Sequence, residues 1–536
     1  MPAGNATSDY RGDVSGNYWH RGDLYLVAAL VSIAVLRSLA IVISPLELGV
    51  DEAQYWLWSQ NFDFGYFTKP PLTSWIIGLT HAVFGHHDWA VRLAAPWLHL
   101  ATSLVLWRGA GWLYGASAGR WAGILWTLLP ATSLGSFVIS TDTPLLLFWA
   151  LALTSLAGII TGKISPGRGM FLAGLAAGIG MLAKYAAIYF PVGVIIFWVW
   201  QRLSSTTSSS TTSSSTTNSS ATNPPTANFP ASDAAQPEPV QHITGRIAQI
   251  HPGHLVLLAI GMGLAASPNL IWNLFNDFAT VRHLGDNANL AKQSHSLASS
   301  LDFLGAQFVT AGPICFALML LILRPPLSDP RHRLLLSMAL PPLAIITLQA
   351  FLSEANANWA LAAMPALVIW LSGWIARQHH RWGQAAAGIN AIIAALFLVA
   401  STAGSLGPLT PDSDPLRRLR GWQVLAADVN DALAQSGANT VIADRRATAA
   451  LLMWHFHDTN INVYIHDADG IPGNHFEANH AWQPVAGRYI IWLDGRSVAP
   501  AIDGVEWQRT EGISKVDIAS NVTRTLYLHK GVETAR

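Results

Sequence analysis

Gly49-Val50-Asp51-Glu52-Ala53-Gln54-Tyr55-Trp56-Leu57-Trp58, closed by Tyr66-Phe67-Thr68-Lys69-Pro70-Pro71, is a polar island directly behind the first hydrophobic run of the chain, residues 24–44. That run is long enough to cross a bilayer, which takes about 20 mostly apolar residues. A span followed by two adjacent acids and a Lys-Pro-Pro turn holds carboxylates and an ammonium at a membrane surface, where they suit chemistry on a lipid-borne substrate. Composition around the island sets the class. Of 536 residues, 51% are hydrophobic and only 12% charged, with a mean hydropathy of +0.33, the balance of a multi-span membrane protein. Apolar runs recur to about residue 405 and then stop, so a soluble domain follows.

A formal net charge of zero argues against nucleic acid as a partner, because phosphate binding needs a basic surface. The single cysteine, Cys315, lies in an apolar segment with no Cys/His zinc pattern and reads as a small buried hydrophobe. The polar start 1–23 precedes a full-length span rather than a cleavable signal, so 1–23 is expected as a cytoplasmic tail and 24–44 as a retained helix.

Lysine and arginine mark cytoplasmic loops. With the amino terminus inside, spans are expected at 24–44, 89–107, 121–139 and 145–161. Two interfacial helices, 51–60 and 70–84, lie outside after the first span. The stretch 170–200 reads as one tilted helix or as two short ones broken near Lys184-Tyr185; two short spans keep Arg202 and the arginines at 324–333 inside. Spans at 254–275, 302–323, 334–352, 359–376 and 383–405 complete about eleven, with the carboxy-terminal domain outside. On this topology Asp51, Glu52, Lys69, Asp142, Lys184, His283, Asp286, Glu354, Asn356 and Asn358 all fall on the outer side. Arg92 and Arg282 also fall outside; as exceptions to the charge rule they either face anionic groups or are interfacial arginines.

The Ser/Thr/Pro-rich stretch within 203–245 is expected as a disordered cytoplasmic loop. Residues 412–536 read as a soluble α/β domain, with a helix near 421–435 and strands at 439–443 and 488–493. Its histidines (His455, His457, His466, His475, His480) lack metal-ligand spacing on a clear helix and read as ordinary surface residues.

Several polar residues suit transfer of a sugar from a lipid phosphate, a reaction that needs a carboxylate to accept a proton and cations for the departing phosphate. Asp51 reads as a helix cap or as that base. Gln54, Tyr55 and Trp58 share one face, either a sugar and isoprenoid contact or an interfacial aromatic belt. Lys69, fixed by Pro70-Pro71, serves a phosphate or lipid headgroups. Asp142, in Ser140-Thr141-Asp142-Thr143-Pro144, is a cap or a catalytic partner. Lys184 interrupts an apolar run, where an ammonium needs a partner or a ligand. The stretch 267–273, the loop residues Arg282 and His283, and Asn356, Asn358 and Trp359 are substrate contacts, or else solvated loop residues, caps and interfacial aromatics.

Taken in order, Asp51-Glu52-Ala53-Gln54-Tyr55, Tyr66-Phe67-Thr68-Lys69-Pro70-Pro71, Ser140-Thr141-Asp142-Thr143-Pro144, Leu182-Ala183-Lys184-Tyr185 and Asn356-Ala357-Asn358-Trp359 resemble the family 39-type membrane glycosyltransferases of the GT-C fold. These include protein O-mannosyltransferases, the aminoarabinose transferase of lipid A and Rgt-type galacturonosyltransferases. The resemblance covers 24–405 and implies an all-α polytopic GT-C domain there. It also implies an inverting glycosyltransferase of the inner membrane, with its active site on the extracytoplasmic, periplasmic side. The donor would be a polyprenyl-phosphate sugar and the acceptor an envelope lipid, glycan or protein. Asp51, Glu52 and Asp142 are then the catalytic acids. Lys69, Lys184 and Arg282 contact the donor phosphate, and Gln54, Tyr55, Tyr66, His283, Asn356, Asn358 and Trp359 line the substrate. A divalent metal ion at the phosphate varies within the family and stays open. Thr68 stands where aminoarabinose transferases carry glutamate, which argues against that donor. The alternative of another class is a polyprenyl-linked sugar flippase or transporter, although no internal repeat is evident.

Overall fold

The computed structural model describes residues 21–209, 240–278, 280, 295–322, 328–405, 414–467, 470, 472–519 and 522–534. Among these residues twenty α-helices and five strands follow in order. The helical part comprises α1 (Arg21–Ile43), α2 (Val50–Ser59), α3 (Leu72–Phe84), α4 (Asp88–Arg92), α5 (Ala94–Tyr114), α6 (Ala116–Leu128), α7 (Pro130–Gly135), α8 (Asp142–Ile160), α9 (Pro166–Met181), α10 (Tyr189–Ser209), α11 (Val240–Ala248), α12 (Pro252–Phe275), α13 (Leu297–Ala311), α14 (Pro313–Leu321), α15 (Pro330–Leu352), α16 (Met364–Ala376) and α17 (His380–Ala403). The carboxy-terminal part holds α18 (Trp422–Ser436), β1 (Thr440–Ala443), α19 (Arg446–His455), β2 (Asn462–Ile465), α20 (His475–His480), β3 (Tyr489–Asp494), β4 (Val505–Ala519) and β5 (Val522–Glu533).

Among the described residues eight helical stretches are long and apolar enough to cross a membrane, and a ninth arises if α13 and α14 count as one bent span. The two remaining expected spans coincide with shorter elements. Residues 121–139 are divided between α6 and α7, because Pro130 cannot donate to the ladder of α6 and Leu129 turns extended before it. Residues 170–200 are two helices, α9 and α10, separated at Leu182–Lys184 and joined by a 3-10 turn, Tyr185–Ile188. The α13–α14 pair bends by 116° at Gly312, whose φ of 87° is costly for any residue with a Cβ. A Cβ there would also meet the Asn390 amide at 1.9 Å.

The segment expected to be unstructured, 203–245, is helical at both described ends, in α10 and α11; residues 210–239 lie outside the described residues. Inside the bundle, the α1 guanidinium of Arg37 is buried and satisfied, donating to the Thr127 carbonyl at 2.7 Å, Ser133 Oγ at 2.9 Å and Ser136 Oγ at 3.1 Å. An unpaired charge at that depth would cost several kcal/mol, on the order of 2.5–3.5 even by insertion scales.

The carboxy-terminal sheet has the order β2-β1-β3-β5-β4, parallel across β2-β1-β3 and antiparallel across β3-β5-β4. The helix expected at 421–435 and the strands at 439–443 and 488–493 are α18, β1 and β3. One hydrophobic core runs from the α2–α5 region into this domain, joining Ala53, Trp56, Ile77 and Val91 to Ala449, Leu451, Trp454 and Phe476. Polar ties reinforce it. The Glu47 carboxylate, just after α1, accepts from the backbone N–H groups of Gly421, Trp422 and Gln423 at the start of α18, the end of a helix where orphan donors and the dipole favour an anion. The imidazole of His86 stacks on Trp454 and His457, with centroids 3.6 and 3.3 Å apart. Burial and the neighbouring His457 and His81 push His86 down to about 4.

Candidate active site

The two adjacent acids of the polar island have opposite environments. Glu52 is 1% exposed, and its partner Arg92 is 3% exposed. The Glu52 carboxylate accepts from Arg92 Nε at 2.9 Å and Nη2 at 2.7 Å, from Gly49 N at 2.8 Å and from Ile139 N at 3.1 Å. Arg92 in turn donates to the Leu46 and Glu47 carbonyls. Four bonds fill the lone-pair sites of a carboxylate. This knot ties the start of α2 to α4, to the chain after α1 and to the turn before α8. Glu52, expected beside Asp51 as a catalytic acid, is buried with its acceptor sites taken by its own chain, and Arg92, an exception to the charge rule, faces that carboxylate.

Asp51 makes no capping bond to α2. Its carboxylate is 63% exposed and meets the guanidinium of Arg446, Nη2 to Oδ1 at 3.1 Å. Gln54, one turn on, accepts from Arg446 Nη1 at 2.9 Å and donates to Thr68 Oγ1 at 3.3 Å. Tyr55 is buried, and burial together with Asp51 and Asp142 holds its hydroxyl well above the usual phenol value. Trp58, expected on the same open face, is core: it stacks on Tyr66 at 4.9 Å and meets His475 edge-on at 5.4 Å. Tyr66 is buried and closes the turn, its hydroxyl donating to the Trp58 carbonyl at 2.9 Å with the Asn61 carbonyl 3.1 Å away, and its N–H donating to the Lys69 carbonyl.

Lys69 leaves that turn half-buried, immediately before Pro70-Pro71 and α3. Among the described residues no carboxylate or other acceptor bonds its ammonium. Burial, then the nearby Lys184, push it below the ordinary lysine value of 10.5, while Asp51 and Asp142 pull the other way. Asp142, first residue of α8, accepts from Lys184 Nζ at Oδ1 and from Asn358 Nδ2 at Oδ2, both at 2.7 Å. Each member of this trio sits where a helix starts or breaks: Asp142 opens α8, Lys184 lies extended between α9 and its 3-10 turn, and Asn358 lies in the 3-10 turn Ala357–Ala363. Breaks free side chains and backbone from the ladder and let polar groups converge inside a bundle.

The structure thus brings together Asp51, Gln54, Tyr55, Lys69, Asp142, Lys184 and Asn358. Asn356 is exposed nearby on the same turn. Trp359 is half-buried and packs against the cluster that holds Phe303, Ile346, Ala350 and Ala360. Arg282 and His283 lie outside the described residues, although Thr280, just before them, donates to the Tyr66 carbonyl at 2.8 Å. Asn269, within the stretch 267–273, holds the 61–66 loop on α12: it donates to the Phe64 carbonyl at 2.8 Å and accepts from the Tyr185 hydroxyl at 2.7 Å. Sequence reasoning missed Arg446, which lies 395 positions from Asp51. Its one sequence signal was a pair of arginines opening a helix, where the dipole disfavours cations. Among the described residues no cluster of three or more His, Cys, Asp or Glu is arranged to hold a metal ion.

Comparison with known proteins bears on family and fold. The family model described as dolichyl-phosphate-mannose-protein mannosyltransferase matches residues 68–215, which include Lys69, Asp142 and Lys184. The lipid A galacturonosyltransferase RgtD of Rhizobium johnstonii is 31% identical over 86% of this chain and 90% of its own. An undecaprenyl phosphate-alpha-4-amino-4-deoxy-L-arabinose arabinosyl transferase of Erwinia tasmaniensis is 29% identical over 27% of this chain and 28% of its own. Among solved structures, ArnT from Cupriavidus metallidurans in the apo state superposes with a TM-score of 0.58 at 13% identity, covering 95% of this chain and 98% of that one, a likeness of fold. The same protein bound to undecaprenyl phosphate gives 0.58 at 14% identity, covering 94% and 97%. An extended relative of this similarity, the matching fold and the order of the motifs leave one assignment: the chain is a multi-pass membrane enzyme that belongs to the mannosyltransferase, ArnT and Rgt-like family of GT-C glycosyltransferases.

Proposed function

We propose that the enzyme transfers a sugar from a polyprenyl-phosphate donor to an envelope-lipid acceptor, with inversion, at the outer face of the membrane. The observation that carries the reading is the convergence of Asp51, Lys69, Asp142 and Lys184 from four separated stretches of chain. Asp51 is the exposed carboxylate and takes the acceptor proton. Asp142 has both oxygens engaged and acts through Lys184, whose ammonium it fixes. Lys69, with no bonded partner among the described residues, receives the donor phosphate and stabilises it as it leaves. A double displacement would need a second carboxylate free to act as nucleophile beside an acid–base partner, as retaining glycosidases arrange. Glu52 accepts four bonds, and Asp142 is buried with each oxygen already bonded, so neither is placed as a free nucleophile, which favours a single displacement and hence inversion. On this reading a catalytic bundle spans 24–405 and an extracytoplasmic domain spans 412–536.

The direct test incubates purified protein with radiolabelled polyprenyl-phosphate sugars and extracted lipid A, the first acceptor to try given the name of the 31% identical relative; galacturonosyl is the first sugar to try on the same ground. Label appearing on lipid A supports the reading. Label moved across a proteoliposome membrane with no new glycosidic bond sinks it in favour of transport.

Lys69 gives a pH signature. The phosphate needs the ammonium, and in the free enzyme that group titrates below 10.5. As pH rises through the lowered value, kcat/KM falls. Bound phosphate opposes deprotonation, so kcat holds to higher pH. In Lys69→Arg the alkaline limb of kcat/KM moves up and out of range; a limb left in place by that variant would remove Lys69 from the phosphate.

A further inference from the structure

The carboxy-terminal domain is part of the site, and its contribution points to the kind of sugar transferred. Arg446 opens α19, a ten-residue helix preceded by Arg445. A cation at a helix N-terminus is disfavoured by the dipole by about 0.3–1 kcal/mol, so its placement needs another reason. The helix is not loosely held. Trp454 meets Trp56 of α2 edge-on at 4.8 Å and stacks under His86, and Ala449, Leu451 and Trp454 belong to the core shared with α2. This seating fixes the start of α19 against the exposed end of α2, where the Arg446 guanidinium spans Gln54 and Asp51.

The two bonds differ in permanence. Gln54 is buried and braced by Thr68, so the 2.9 Å bond from Nη1 is a fixed anchor. The pair with Asp51 is 41% and 63% exposed at 3.1 Å, and exposed ion pairs of this kind are worth at most about 1 kcal/mol. An incoming anion can take the guanidinium from Asp51 at little cost. Guanidinium matches a carboxylate bidentately, a geometry lysine cannot supply. The two lysines of the site are spoken for otherwise: Lys184 by Asp142, Lys69 by the donor phosphate.

We infer that Arg446 is a specificity-determining residue that binds the carboxylate of a hexuronosyl donor, exchanging Asp51 for the sugar carboxylate while Gln54 keeps the guanidinium in place. The exchange returns the Asp51 oxygens to the acceptor when the correct sugar is bound. A neutral sugar leaves Asp51 paired with Arg446 and is transferred poorly. The inference rests on the transferase reading above and adds to it the residue that reads the sugar's carboxylate.

The test uses the full-length protein with two donors that differ only at C6, polyprenyl-phosphate galacturonate and polyprenyl-phosphate galactose, and compares kcat/KM. Wild type is expected to favour the uronosyl donor on the order of 10–100-fold, the range for a charged hydrogen-bond pair. In Arg446→Gln that ratio falls toward unity, and in Arg446→Lys it is intermediate. Free galacturonate inhibits wild-type transfer more strongly than free galactose, a measurement that needs no variant. Wild type with no preference between the donors, equal losses with both donors in Arg446→Gln, or a loss that follows removal of phosphate from the acceptor would each overturn the inference while leaving the transferase standing. No transfer from any polyprenyl-phosphate donor in wild type would instead overturn the underlying reading together with this one.

Discussion

Asp51→Asn is expected to lower kcat by a factor of about 10²–10⁴, the contribution of a positioned general base, with no measurable loss of folded protein. The substitution keeps size and one acceptor oxygen, so the bond from Arg446 Nη2 survives in neutral form. The ion pair it weakens is exposed on both sides and contributes at most about 1 kcal/mol to stability. Expression, detergent-solution homogeneity and thermal midpoint should match wild type, and donor binding should persist because Lys69 and Lys184 are untouched. Turnover of sugar within a factor of a few of wild type would remove Asp51 from the role of base and leave the site with no free carboxylate.

Much of the bundle was legible because bilayer crossing imposes length and composition on a helix. The helices expected at 24–44, 145–161, 254–275, 334–352 and 383–405 are α1, α8, α12, α15 and α17, with ends shifted by a few residues. The interfacial pair at 51–60 and 70–84 is α2 and α3. Less legible were the places where a span bends. Pro130 and Gly312-Pro313 break the 121–139 and 302–323 stretches, and hydropathy averaged over a window cannot register one missing donor or one left-handed glycine. The ends of the Ser/Thr-rich segment were misjudged for the converse reason. The helical ladder of α10 continues through Ser204 and its serine-rich neighbours to Ser209, although composition alone marks that stretch as a poor helix.

The site was legible where a polar residue interrupted an apolar context. Lys184 in the middle of a hydrophobic run needed a partner, and Asp142 is that partner at 2.7 Å. Asn358, in the polar turn that opens the next span, joined them by donating to the second Asp142 oxygen at 2.7 Å. The division of labour between Asp51 and Glu52 was not legible. Adjacent helical positions point about 100° apart, so one acid turns outward and the other into the core, and which does which depends on Arg92, forty positions on. Arg446 was hidden for a plainer reason: its contact crosses between two parts of the chain that each look self-sufficient in sequence.

The reciprocal variant, Glu52→Gln, is expected to fail as a protein rather than as a catalyst. Glu52 and Arg92 are 1% and 3% exposed, and removing one partner from a buried pair costs about 3–5 kcal/mol because the other charge is left without compensation. Glutamine offers one acceptor oxygen where the carboxylate offers two, so it cannot serve Arg92 Nε and Nη2, Gly49 N and Ile139 N together. The start of α2, α4 and the turn before α8 would all loosen, and with them the placement of both Asp51 and Asp142. Yield and thermal midpoint fall, and the surviving folded fraction keeps a specific activity far above that of Asp51→Asn. Arg92→Met should fail in the same way. The double variant Glu52→Leu/Arg92→Met should lose less than the sum of the two single losses, because no unpaired charge remains buried. A Glu52→Gln protein as stable as wild type yet inactive would reverse the assignment and make Glu52 a chemical rather than a structural acid, which is why stability and activity must be read on the same preparation.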